Sequence, residues 1–227
     1  MISRSALVEC AAAAVAAGGE IADLRRDAYG HGVLPVARAV LAAGARAVRV
    51  DGAEQARLLR SAGLAATDAD VPDIDAELLY GLPGDGQSAP SPVMRLTGTV
   101  MSIKPLRRGE AVSYGYTHRA TADTTLALVT GGYAQAIVRA LGNRAHVELR
   151  GRMVPIVGRI AMDVCVIDLG GSPVLSDVPA TEGDEVTYFG GAGPARAELR
   201  AWAAATGLTA AELVCAAGLH ASRVEGD

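Results

Sequence analysis

Residues 24–32 read "LRRDAYGHG", and the fold of the first third of the chain turns on them. A short apolar run, "IADL" at 21–24, leads in, and a helical pattern, "VLPVARAVLAAG" at 33–44, leads out. Two glycines punctuate the stretch, so it reads as a strand-to-helix loop of the kind that holds a ligand at the carboxyl end of a strand. Where such a loop would need a reactive amine it carries Arg25. Working outward, "ARAVRV" at 45–50 predicts a second strand, and "DGAEQARLLRSAG" at 51–63 predicts a helix with Asp51 as N-cap and Gly63 as stop. The β-α-β-α order predicts parallel strands joined by crossover helices. Upstream, residues 5–17 predict a helix ended by Gly18 and Gly19. Glu9 interrupts its apolar run, which argues against a signal peptide.

Downstream the texture changes twice. Residues 65–91 are rich in Pro, Gly, Asp and Ser and read as a linker interrupted by "AELLYG". From 93 onward short β-rich runs are split by glycine turns: "VMRLTGTVMSIKPL", "TTLALVTGGY", "HVELRGRMVPIVGRI", "DVCVIDLG" and "GDEVTYFG". Such spacing predicts a small antiparallel β-barrel or sandwich. "PARAELRAWAAATG" and "TAAELVCAAG" read as closing helices. The domain boundaries expected are therefore 1–64, a linker or the end of the first domain at 65–91, and 92–227.

Bulk properties exclude several functions. The 227 residues are half apolar with a formal charge of −4, enough for one or two globular domains and too acidic for a nucleic-acid footprint. No stretch is apolar enough to predict a membrane span. Cys10, Cys165 and Cys215 form no pattern, which predicts reduced thiols and a cytoplasmic setting. The four histidines lack metal-ligand spacing, so no metal is expected. Lys104 is the sole lysine, so any chemistry needing a lysine amine uses Lys104 or does without.

Three motifs beyond the opening loop carry reactive groups. Tyr114, in "EAVSYGYT" at 110–117, sits where a strand turns. Its hydroxyl serves either as an acid or base helped by a positive neighbour, or simply as the wet end of a packed side chain. Tyr133 follows two glycines that permit close backbone approach. "VGRIAMD" at 157–163 ends a β-run on Met162 and Asp163.

Together these segments resemble the alanine racemase family. "RRDAYGHG" is similar to the family's K-A-D-A-Y-G-H-G, "VSYG" at 112–115 matches as it stands, "GYAQA" at 132–136 is similar to G-Y-A-D-G, and "PIVGRIAMD" at 155–163 to P-I-V-G-R-x-x-M-D. "GDEV" at 183–186, "PVMRL" at 92–96 and "LLYGLP" at 78–83 fall in the same order as in the family. The resemblance implies a TIM-type barrel followed by a β-domain, a dimer, and pyridoxal phosphate held on a lysine. It also implies that a tyrosine from the partner's V-S-Y-G acts on the opposite face of the substrate. It assigns Tyr114 as that second base. Tyr133, Met162 and Asp163 fall at the substrate entrance, and Tyr29 and His31 in the cofactor loop.

Four departures shape the expectation. The family lysine aligns with Arg25, which is protonated at any working pH and a poor nucleophile. Only 92 residues precede "VMRL", against about 250 for a full TIM barrel. Leu219 stands at a phosphate-binding tyrosine, and Gln135 at an aspartate. The fold expected is thus a set of incomplete TIM-type βα units followed by an alanine-racemase-like antiparallel β-domain. The function expected is a binding or regulatory module without bound cofactor, a homodimer or a heteromer with a full-length alanine racemase. One alternative is pyridoxal-phosphate-independent chemistry on a small anionic ligand by Tyr114 and Arg25. The other is alanine racemisation itself.

Overall fold

The computed structural model describes residues 1–83, 92–170 and 180–226. The Gly/Pro/Ser-rich part of the expected linker, 84–91, lies outside them. The chain forms two units, Met1–Met94 with Ala210–Asp227, and Arg95–Thr209.

In the first unit a short strand β1 (Ile2–Ser3) runs into α1 (Arg4–Ala17), where the Ser3 hydroxyl caps the Ala6 amide. Ala6, Leu7, Cys10, Ala11 and Ala14 form its buried stripe at helical spacing. Then come β2 (Ile21–Asp23), α2 (Val33–Ala42), β3 (Ala47–Arg49), α3 (Ala53–Ser61), β4 (Ala66–Thr67) and α4 (Ala76–Tyr80). The strands make a parallel sheet in the order β2-β3-β4, with Asp23 opposite Arg49. The third strand lies within the expected linker, where two residues beside an Asp- and Pro-rich run leave no readable period. That segment is core rather than connection, because Ile74, Leu79, Tyr80 and Leu82 are all buried. Asp73 adds to this by accepting the Glu20 and Ile21 amides at 2.7 Å each, which ties the segment to the free edge of β2. Asp51 is not the cap of α3. Gly52 takes that position without a side-chain bond, and Asp51 Oδ2 instead accepts the Arg26 amide at 2.9 Å.

The second unit settles barrel against sandwich. Strands β5 (Leu96–Leu106), β8 (Thr124–Thr130), β9 (His146–Leu149), β10 (Arg152–Val157), β11 (Val164–Gly170) and β12 (Glu185–Phe189) close as β10-β11-β8-β5-β12-β9, antiparallel throughout. A side hairpin pairs β6 (Ala111–Val112) with β7 (His118–Arg119). Alternation fills the inside, as with Cys165, Ile167 and Leu169 along β11. Helix α5 (Glu198–Thr206) places Trp202 edge-on to Tyr188 and Phe189, with ring centroids at 6.3 and 5.3 Å.

By its contacts the last helix, α6 (Ala210–His220), groups with the first unit. Two contacts draw it there. Glu225–Gly226 pairs in parallel with β1, and Gly218 lies against Gly30, where a Cβ on either residue would meet the other's Cα at 2.5 Å. Among the described residues no single helix is long and apolar enough to cross a membrane.

Candidate functional site

The opening loop folds as a left-handed turn. Arg26, Asp27, Ala28 and Tyr29 all have φ between 52° and 54°, and Gly30 follows at 78°. Each non-glycine residue there costs about 1 kcal/mol or more, so the turn persists only because its surroundings hold it. Three carboxylates do so. Asp51 takes the Arg26 amide. Asp27 takes the Val33 amide at 2.8 Å and pairs with Arg223, whose Nε also donates to the Gly30 carbonyl at 3.1 Å. Asp23 spans the turn end to end. It accepts the Arg25 amide at 3.1 Å, Arg25 Nε at 2.8 Å, Arg25 Nη2 at 2.6 Å and the Tyr29 hydroxyl at 3.2 Å.

The electrostatics follow this geometry. Burial pulls the Asp23 carboxyl upward, but its bonds to Arg25, together with Arg25's charge, outweigh that and leave it below the usual range. Asp23 in turn raises the Arg25 guanidinium further. Burial, then Asp23, pushes the Tyr29 hydroxyl up. His31 is fully buried. Its Nδ1 donates to the carbonyls of Ala28 and Tyr29 at 3.0 and 3.1 Å, and its ring stacks on Tyr80 at 4.5 Å. Tyr80 donates to the Asp23 carbonyl at 2.8 Å and lies edge-on to Tyr29 at 5.0 Å. Arg25, Tyr29 and His31 are therefore gathered in one place. Asp23 and Tyr80 complete the group without having been singled out in the sequence. The first read as a strand residue in "IADL", and the second lay far downstream in "LLYGLP".

The second unit holds a cavity of about 350 Å³ where Ser113, Tyr114, Tyr116 and Arg159 meet Leu128 and Val166. Tyr114–Tyr116 is a single tight turn. The Arg159 guanidinium lies beneath it, 3.2 Å from where a Cβ on Gly115 would be, and Ser113 Oγ donates to the Arg159 carbonyl at 2.5 Å. "VSYG" and "PIVGRIAMD" thus build one wall, and Arg159 is a site residue that the sequence reading passed over.

Beside it, Tyr133, Met162 and Asp163 form a second group. Tyr133 N donates to the Ala161 carbonyl, Ala134 N to that of Met162, and Gly131 N to that of Asp163, at 2.7–3.0 Å. A Cβ on Gly132 would lie 2.4 Å from two of these oxygens, which explains the paired glycines. Gln135 bridges the Gly132 amide and Asp163 at 3.0 and 3.2 Å, and Arg139 sits over the Tyr133 ring at 4.7 Å. Arg25 belongs to the first unit and Tyr114 to the second, so neither unit alone contains both.

A family model described as the alanine racemase C-terminal domain matches residues 93–225. The alanine racemase of Mycolicibacterium vanbaalenii is 48% identical over 115 residues, covering 49% of this chain and 28% of that protein. The chain spans about a third of the length of the curated relatives it matches. Solved structures share the fold more widely. Alanine racemase from a D-cycloserine-producing Streptomyces lavendulae superposes with a TM-score of 0.79 at 21% identity, covering 99% of this chain and 94% of that one. The Bartonella henselae enzyme with covalently bound pyridoxal phosphate gives 0.74 at 17%, covering 99% and 98%. The structural match reaches nearly across the neighbours, whereas the family model matches residues 93–225. The chain belongs to the alanine racemase family, by way of that family's C-terminal domain.

Proposed function

We propose that the chain is a non-racemising member of the family that works by association. It presents the face of Tyr114, Tyr116 and Met162 to the barrel of an alanine-racemase-fold partner, either a second copy or a full-length alanine racemase. The observation that carries this reading is that face itself. Tyr114, Tyr116 and Met162 are 68%, 70% and 55% exposed, on and beside one cavity of the second unit. Exposed aromatic and methionine side chains around a cavity are what an interface core uses.

Residue chemistry supports the non-racemising half. The relatives are named alanine racemases, and one neighbour carries pyridoxal phosphate covalently. The chain's one lysine, Lys104, is exposed on β5 of the second unit. In the loop, Arg25 directs both Nε and Nη2 at Asp23, and a guanidinium neither loses its proton nor attacks a carbonyl. Tyr29 is bonded to the same carboxylate, and the Tyr80 and His31 rings pack behind it. These residues do not fit a covalently held pyridoxal phosphate. The rival reading, cofactor-free chemistry by Tyr114 with Arg25, has less support because Arg25 is committed to Asp23.

The test mixes the purified chain with a full-length alanine racemase and measures mass by light scattering and racemisation rate with and without the chain. Self-association or a mixed complex is expected. The Tyr116→Ala/Met162→Ala variant should weaken it about tenfold or more, since interface anchors contribute 1–2 kcal/mol or more each. A chain that stays monomeric alone and in the mixture sinks the proposal.

A further inference from the structure

We infer that Asp23, and not the arginine beside it alone, bars this loop from holding an aldehyde covalently. The inference rests on the non-racemising reading above and adds the residue that enforces it.

Capture of an aldehyde needs a neutral amine. The nitrogen lone pair adds to the carbonyl carbon, a carbon–nitrogen double bond forms, and the oxygen leaves as water with the two N–H protons. Suppose Arg25 were replaced by lysine. The new ammonium would face a carboxylate whose side chain is only 9% exposed and which already holds both the start and the end of the left-handed turn. An opposite charge at hydrogen-bond distance keeps an amine protonated. Each unit by which its pKa rises lowers the neutral fraction about tenfold. Tyr29 and Asp51 also face position 25, and Cys215 faces Tyr29 from α6. Of these groups Asp23 alone is hydrogen-bonded to the Arg25 side chain among the described residues. Restoring the amine therefore leaves it charged, and the carboxylate has to go as well.

The experiment compares the full chain, Arg25→Lys and Asp23→Asn/Arg25→Lys. Each is incubated with pyridoxal phosphate at neutral pH, reduced with borohydride and mapped by peptide mass spectrometry. Exposed Lys104 serves as the internal standard, and circular dichroism checks folding. In R25K, position 25 should label no more than Lys104, while the double variant should label it about tenfold more than R25K does. Equal labelling of position 25 in the two variants, whether high or low, overturns the inference. A second readout uses R25K alone, in case the double variant does not fold. Labelling of position 25 should set in at a higher pH than labelling of Lys104, and coincident midpoints also overturn it. Association with a racemase partner is measured on the unaltered chain, so failure here and failure of the docking reading are told apart.

Discussion

His31 shows how a residue's role follows from what closes over it. Both acceptors of its Nδ1 are carbonyl oxygens, so Nδ1 carries the proton and Nε2 presents a lone pair. Nε2 is buried with no partner among the described residues. Burial drives its pKa down to about 4, with the Ala28 and Tyr29 carbonyls offsetting only part of that. The unfolded value is about 6.5. Between the two values the unfolded chain binds a proton that the folded chain refuses. Stability is then intact above pH 6.5 and falls as the pH drops towards 4, by about 1.4 kcal/mol per unit and about 3 kcal/mol in all. Urea titrations of the wild type and of His31→Asn between pH 7 and 4 check this. The wild type should lose stability with the steeper slope, and parallel curves would refute it. In the sequence His31 stood among candidate ligands of a glycine-rich loop. The spacing in "GHG" carries no trace of Tyr80, the ring that turns it into a buried support. Asp23 escaped notice for the same reason, since its meaning lies in Arg25 and Tyr29, which reach it only once the chain curls left-handed.

At the scale of elements, α6 and the left-handed turn meet through two glycines. Gly218 lies inside α6, so replacing it by alanine would favour the helix by up to about 1 kcal/mol. The same Cβ would fall 2.5 Å from the Gly30 Cα and carbonyl oxygen. Those are backbone atoms of a turn already clamped by Asp23, Asp27 and Asp51, so they cannot rotate aside as a side chain would. Overpacking of this kind costs about 1–3 kcal/mol and outweighs the propensity gain. Gly218→Ala should destabilise the chain by about 1–2 kcal/mol, read as a lower urea midpoint at unchanged slope. A raised midpoint would mean that the helix and the turn part freely. The helix itself was legible from its alanines and leucines, and the stretch read as helical ended at its glycine. Only the packing shows that the helix runs on to His220 and uses Gly218 for contact. The barrel strands were readable because glycine turns separate runs of alternating burial. The β4 strand and α4 were not, since two and five residues give no period to read.

For the whole molecule, the order of the two halves was legible and the cut between them only partly so. The change from helical to strand texture near residue 93 is a local signal. The return of Ala210–Asp227 to the first unit depends on pairing with β1, at the other end of the sequence. This bears on what the β-barrel requires. Its six strands close on one another and leave no unpaired edge. Val100, Val129, Val147, Ile156, Ile167 and Val186 of those strands are buried, and so are Ile137, Leu141, Ile160 and Leu199 from elsewhere within Arg95–Thr209. The only tryptophan, Trp202, is buried against Tyr188 and Phe189, all three within Arg95–Thr209. Tryptophan emission is therefore a private reporter of this unit. A chain cut to residues 95–209 should fold alone, emit at the same short wavelength as the full protein, and lose that emission in one cooperative urea transition. Red-shifted emission before any denaturant is added would show that the barrel draws essential packing from outside its own strands.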